Sequence, residues 1–131
     1  MGVLKTVSVE ENKRVAERAF EEIMNQGNLE VTSELVADDY KLNEPQGLPA
    51  GVEGMRMLAK MYRAGFPDLH MTVEDMIGEG DQVAVRWSGT GTHRGEFMGF
   101  PPTGQKVQVR GISWLRFRDG KIAEEWTQIS R

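Results

Sequence analysis

No cysteine occurs in the 131 residues. Its absence excludes disulfides, thiol nucleophiles, iron–sulfur clusters and thiolate zinc sites. Histidine is almost as scarce. His70 and His93 are far apart in sequence, so no metal site is expected from them. No apolar run is long enough to span a membrane. The opening MGVLKTVSVEENK lacks the apolar stretch and small-residue cleavage site of a signal peptide. An excess of positive charge is missing as well. Sixteen Lys and Arg stand against twenty Asp and Glu, a net charge of −4, and neither half is basic. A footprint for a nucleic-acid phosphate backbone is therefore not expected. Internal repeats and low-complexity tracts are absent. What is present is ordinary globular chemistry, 39% hydrophobic and 27% charged. The expectation is a single cytoplasmic domain over 1–131, with neither nucleic acid nor membrane as a partner.

The hydrophobic spacing changes along the chain. Ser8 and Glu11 have the spacing of a capping box, and Val15, Ala16, Ala19, Phe20, Ile23 and Met24 follow at helical intervals. Gly27-Asn28 stops that helix and opens a second over 29–37. Residues 40–44 are predicted to be extended, because Pro45 disfavours the helical region for Glu44. A third helix over 52–64 carries Met55, Leu58, Met61 and Tyr62 on one side. Beyond Gly65 the period becomes two. Met71, Val73 and Ile77 alternate with polar residues, the chain turns at 78–81, and Val83, Val85 and Trp87 alternate in turn. Val107, Val109, Ser113, Leu115 and Phe117 form another alternating run. Asp119-Gly120 is a strong two-residue hairpin signal before the last strand. Helices first and antiparallel hairpins afterwards indicate an α+β fold, with a curved antiparallel sheet around three helices.

Chemistry needs ionisable groups among apolar neighbours. Ile122, Glu124 and Trp126 share one parity on the last strand, which puts Glu124 among apolar side chains and Glu125 on the opposite face. His93 shares parity with Val83, Val85 and Trp87 unless Gly89 or Gly91 hosts a bulge. Imidazole, with an ordinary pKa of about 6.5, serves as acid or base near neutrality. Asp75 shares parity with Val73 and Ile77, although a bulge would turn it outward, and His70 reads as a surface residue. Asn43, Tyr62, Trp87 and Trp126 suit the wall of a ligand cavity, although the aromatics suit a core equally. The apolar loop Phe97-Met98-Gly99-Phe100-Pro101-Pro102 beside His93 suits a lid or an interface. Gly89-Thr90-Gly91 leads into strand and loop, not into a helix N-terminus, so it forms no phosphate cradle.

The stretches Ala64-Gly65-Phe66-Pro67-Asp68-Leu69, Arg86-Trp87, Gly91-Thr92-His93-Arg94-Gly95-Glu96-Phe97-Met98-Gly99, Pro101-Pro102-Thr103-Gly104 and Phe117-Arg118-Asp119-Gly120-Lys121-Ile122 occur in one order. Together with Glu124-Glu125-Trp126, they resemble the SnoaL-like polyketide cyclase family. The resemblance implies a cone-shaped α+β barrel like that of ketosteroid isomerase and nuclear transport factor, a deep apolar pocket, and often a homodimer. It further implies ring closure by aldol chemistry with neither metal nor cofactor, on a hydrophobic small-molecule ligand. Asn43 and Glu125 stand where such proteins often carry His, and no Asp lies between Asp81 and Asp119. The expected site is therefore His93 and Glu124 as the acid/base pair, with Asn43, Tyr62, Trp87, Phe97 and Trp126 contacting the ligand. The missing Asp supports an alternative, a non-catalytic binding or accessory domain. An epoxide-hydrolase-like enzyme is a third reading, for which no Asp–Arg–Asp set can be assembled.

Overall fold

The computed structural model describes residues 7–43 and 47–130. The expectations for the first six residues, Glu44, Pro45 and Gln46 fall outside that description. Helix α1 spans Val9–Arg18, and Ser8 caps it by accepting from the Glu11 backbone N–H at 3.1 Å. The helix continues as a π-helical segment, Ala19–Asn25, which ends where Gly27 takes a positive φ. Arg63 holds that end by donating to the Met24 and Asn25 carbonyls at 3.0 and 2.6 Å. The second helix, α2, is only Thr32–Leu35. The last two residues of the expected helix, Val36 and Ala37, belong instead to strand β1, Val36–Leu42, which is buried at its start and pairs with a neighbouring strand. Helix α3 spans Val52–Gly65 and turns Met55, Leu58 and Ala59 to the core.

Strands β2 (His70–Glu79), β3 (Gln82–Thr92), β4 (Lys106–Arg118) and β5 (Lys121–Ser130) form an antiparallel meander. The turns fall where Gly80 and the Asp119-Gly120 pair have positive φ. The sheet order is β1-β5-β4-β3-β2, with β1 parallel to β5. The sheet is thus open and mixed, not a closed, wholly antiparallel barrel. The chain reaches β5 from β1 through α3 and the whole meander, and only that long route allows parallel pairing. The fold is α+β, with the helices packed on the concave face around Ile23, Leu35, Tyr40, Val83, Val85, Leu115 and Ile122. Among the described residues, no helix is long and apolar enough to cross a membrane.

Two irregularities decide which side chains face inward. The β2–β3 register slips between Val73 and Asp75, so Ile77 lies 71% exposed and Asp75 points outward. The β4–β5 register slips between the pairs Arg116–Glu124 and Phe117–Ile122, leaving Ala123 as an extra residue. Ile122 and Ala123 are consequently both buried, and every later residue of β5 changes face. At the β2 edge, the Asn25 side chain behaves as one residue of an added strand. Its Nδ2 donates to the Met71 carbonyl at 2.8 Å, and its Oδ1 accepts from the Met71 N–H at 2.7 Å.

Candidate active site

A cavity of about 590 Å³ opens between the concave face of the sheet and the helices. It exists because the inner face of β3 and β4 changes composition along its length. Val83, Val85, Leu115 and Phe117 fill one end as core, whereas Gly89 adds no side chain farther along, and the rings of Phe66 and Trp87 cover the bare backbone at Gly91 and Gly111. Trp87 forms the boundary, packing on Phe20 with ring centres 6.2 Å apart. Tyr62 of α3, Phe66 directly after that helix and Phe97 of the loop that follows β3 make the opposite wall. Phe97 lies 5.0 Å from Tyr62 and 5.2 Å from Phe66 between ring centres. The loop is anchored to the end of α3, where the Arg94 and Gly95 N–H groups both donate to the Gly65 carbonyl.

The carboxylate on this wall is Glu125. The bulge at Ala123 turns Glu125 and Thr127 inward and sends Glu124 and Trp126 to the outer face. This reverses the sequence-based placement of Glu124, Glu125 and Trp126, because a strand with one inserted residue no longer keeps the parity of Ile122. Glu124 instead pairs with Arg116 on the outer face and accepts from Asn43 Nδ2 at 3.2 Å. Asn43 does not line the cavity. Its side chain and its backbone N–H each donate to the Glu125 carbonyl at 3.0 Å, fastening the end of β1 to β5. Trp126 is 40% exposed beside its cross-strand neighbour Trp114.

Glu125 keeps only a limited surface, and that surface adjoins the cavity. Tyr40 donates to its Oε1 at 2.8 Å, and Thr127 donates to its Oε2 at 2.9 Å. Burial pushes its carboxyl above the ordinary glutamate value, while the two hydroxyl donors pull the other way. Tyr62 faces the same charge. Its phenol is pushed up by burial and then by Glu125, and its hydroxyl bonds to none of the described residues.

His93 directly follows β3 on the inner face, since β3 runs against β4 without a bulge and the His93 N–H donates to the Gln105 carbonyl. It stacks on Phe66 with ring centres 5.3 Å apart and planes inclined at 28°. Its Nδ1 lies 3.3 Å from the Thr103 hydroxyl, and its Nε2 is buried without a partner among the described residues. His93 and Glu125 line one cavity but belong to opposite ends of it. Glu125 lies across from Leu115, which lies across from Val83, ten residues before His93 on β3. They are not a contacting pair. His70 is exposed. Among the described residues, no three His, Cys, Asp or Glu side chains gather as a metal site requires.

Tyr62, Trp87, Phe97 and His93 thus share the cavity, and Glu124, Trp126 and Asn43 do not. Sequence reading missed Glu125, Tyr40 and the hydroxyls of Ser113 and Thr127 as one group. One signal was present: Ile122 and Ala123 are consecutive apolar residues in an otherwise alternating strand, which marks a bulge.

The profile of the SnoaL-like polyketide cyclase family matches residues 14–131. Among solved structures, the chain is similar to IdmH from Streptomyces antibioticus, a proposed polyketide cyclase, at 35% identity. That match covers 91% of each chain with a TM-score of 0.75. It is also similar to AclR from Streptomyces galilaeus, a proposed hydroxylase, at 32% identity over 94% of this chain and 77% of that one, TM-score 0.79. A proposed SnoaL-like polyketide cyclase from Jannaschia sp. CCS1 has 27% identity over 98% and 92% of the two chains, TM-score 0.85. No curated protein matches the sequence.

Proposed function

The chain belongs to the SnoaL-like polyketide cyclase family, and on that premise we propose that it is an acid/base enzyme closing or isomerising a hydrophobic carbonyl compound, with Glu125 as the base. The observation that carries this reading is one carboxylate, raised in pKa by burial, on the wall of a mainly apolar and aromatic cavity. A carboxyl poised above its ordinary value is suited to taking a proton from carbon.

In this reading, Glu125 removes a proton from the carbon beside a ligand carbonyl, and the electron pair moves onto the carbonyl oxygen. Tyr62 O–H donates to that oxygen as its charge develops. The enolate carbon then bonds to a second carbonyl of the same ligand, and protonated Glu125 returns its proton to the new alkoxide. The cycle is balanced without a redox partner. Trp87, Phe97 and Phe66 hold the ligand by apolar contact. His93 binds at the distant end, where its Nε2 needs a partner.

The outer sheet face supports a homodimer. Ile112, Trp114 and Trp126 are exposed there, flanked by Arg116 and Glu124 of opposite charge. Two copies of that face related by a twofold axis would cover these apolar side chains with one another.

The test uses linear poly-β-ketones with turnover followed by mass spectrometry. Glu125→Gln should abolish ring closure while binding persists. A protein that binds such compounds, turns none over and changes only in affinity on Glu125→Gln is the non-catalytic binding domain instead.

A further inference from the structure

Five side chains from four strands form one continuous hydrogen-bonded line through the cavity wall. Trp87 Nε1 donates to Ser113 Oγ at 3.0 Å, Ser113 Oγ lies 3.0 Å from Thr127 Oγ1, and Thr127 Oγ1 donates to Glu125 Oε2 at 2.9 Å. Tyr40 closes the line on Glu125 Oε1. Ser113 and Thr127 are direct cross-strand partners, so the ladder itself sets their spacing. Ser113 is 2% exposed, and Trp87 is 4% exposed.

The donor inventory fixes the direction of this line. Indole N–H can only donate, and an ionised carboxylate can only accept. Trp87 therefore spends a lone pair of Ser113, and Ser113 directs its own proton to Thr127. Thr127 directs its proton to Glu125. Once Glu125 carries a proton, it can donate to Thr127. Thr127 then turns its proton to Ser113, which accepts from both sides. The line thus has two hydroxyl arrangements, one for each protonation state of Glu125, and Trp87 is its fixed terminus.

We infer that Ser113 and Thr127 are positioning residues for Glu125, forming a hydroxyl relay that orients its carboxylate and couples its protonation to the Trp87 indole. The inference rests on Glu125 being the group that gains and loses the proton. Tyr40 from β1 and Tyr62 from α3 are the titratable groups facing it, and His93 is the remaining titratable side chain of the cavity. The Glu124–Arg116 pair lies on the other face of the sheet.

The experiment follows the Trp87 indole N–H resonance and the Glu125 carboxyl carbon through pH in protein without ligand. Trp114→Phe and Trp126→Phe assign the indole signals. The expected result is one shared midpoint in the wild-type protein. Thr127→Val should flatten the Trp87 transition and raise the Glu125 midpoint by about one unit, the size of one lost hydrogen bond to the ionised form. Thr127→Ser should restore both. If Thr127→Val does not fold, Ser113→Ala serves, and Trp87 should lose its response while Glu125 still titrates. A Trp87 transition that survives either cut, or a Glu125 midpoint that Thr127→Val does not move, overturns the relay. No substrate enters this measurement. A failed relay is thus distinguishable from failure of the catalytic reading, which Glu125→Gln turnover tests separately.

Discussion

Gly111 lies directly across from Trp87 in the β3–β4 ladder, and the Trp87 indole occupies the space where a side chain at 111 would stand. The floor of the cavity is set by that pairing. The indole must lie over bare backbone to bring Nε1 to Ser113. Gly111→Ala should therefore overpack the floor, costing about 1–3 kcal/mol and lowering Tm by several degrees. Gly89 provides the contrast, because a Cβ there would have ordinary contacts, the nearest 3.4 Å away at Val109. Gly89→Ala should keep or slightly raise Tm while reducing the cavity. Calorimetry on the two variants checks the pair, and equal losses would contradict it.

The two adjacent glutamates should separate cleanly in turnover. Glu125→Gln removes the proposed base and should lower kcat at least a hundredfold, or about 3 kcal/mol of barrier. Glu124→Gln alters an outer-face pair with Arg116 and a hydrogen bond from Asn43, both away from the cavity, and should leave kcat within about twofold. Steady-state kinetics on both variants decides which carboxylate serves the cavity.

Stability should carry the mark of Glu125 as well. Its folded-state pKa lies above the ordinary value of 4.5, so the folded protein binds the proton more tightly than the unfolded chain. Its contribution is fully favourable below 4.5 and is lost as pH rises through the raised folded value. Relative to wild type, Glu125→Gln should therefore gain Tm on passing upward through that window and stay level beyond it. The lowered carboxyls of Asp39 and Asp68 act with the opposite sign and at lower pH, so the difference between variant and wild type isolates Glu125. A difference that is flat in pH would count against the raised carboxyl.

The proposed dimer has a direct check. Trp114→Glu combined with Trp126→Glu puts like charges on the outer face beside Glu124. Wild-type protein should sediment as a dimer at micromolar concentration, and the double variant as a monomer with an unchanged far-ultraviolet spectrum. A wild-type monomer would remove the interface.

The parts of this fold read easily from sequence are those written in local chemistry. Asp119-Gly120 takes the two positive φ values of its hairpin turn, Ser8 caps α1, and the alternation of β3 holds for its whole length. The parts that were not legible depend on one residue more or less. Alternation has a period of two, so an inserted residue such as Ala123 leaves every following assignment self-consistent and wrong. That is how Glu124 and Trp126 were read inward and Glu125 outward. The parallel β1–β5 pairing was hidden for another reason. It joins segments some eighty residues apart in sequence, and nothing in residues 36–42 names the partner.

The Asn25 clasp on Met71 has a consequence for solubility. An open sheet leaves β2, ten residues long, as an edge strand, and an unpaired edge is a template for adding strands from another chain. Asn25 occupies the donor and acceptor that Met71 would offer to such a strand. Farther along, the slip between Val73 and Asp75 breaks the flat run, and the exposed Glu74, Asp75 and Glu79 add charge. An arriving strand would find the first rung taken, the next bent and the remainder electrostatically hostile. The fold can thus keep its cavity open at one side of the sheet without the polymerisation that closing the barrel would otherwise prevent.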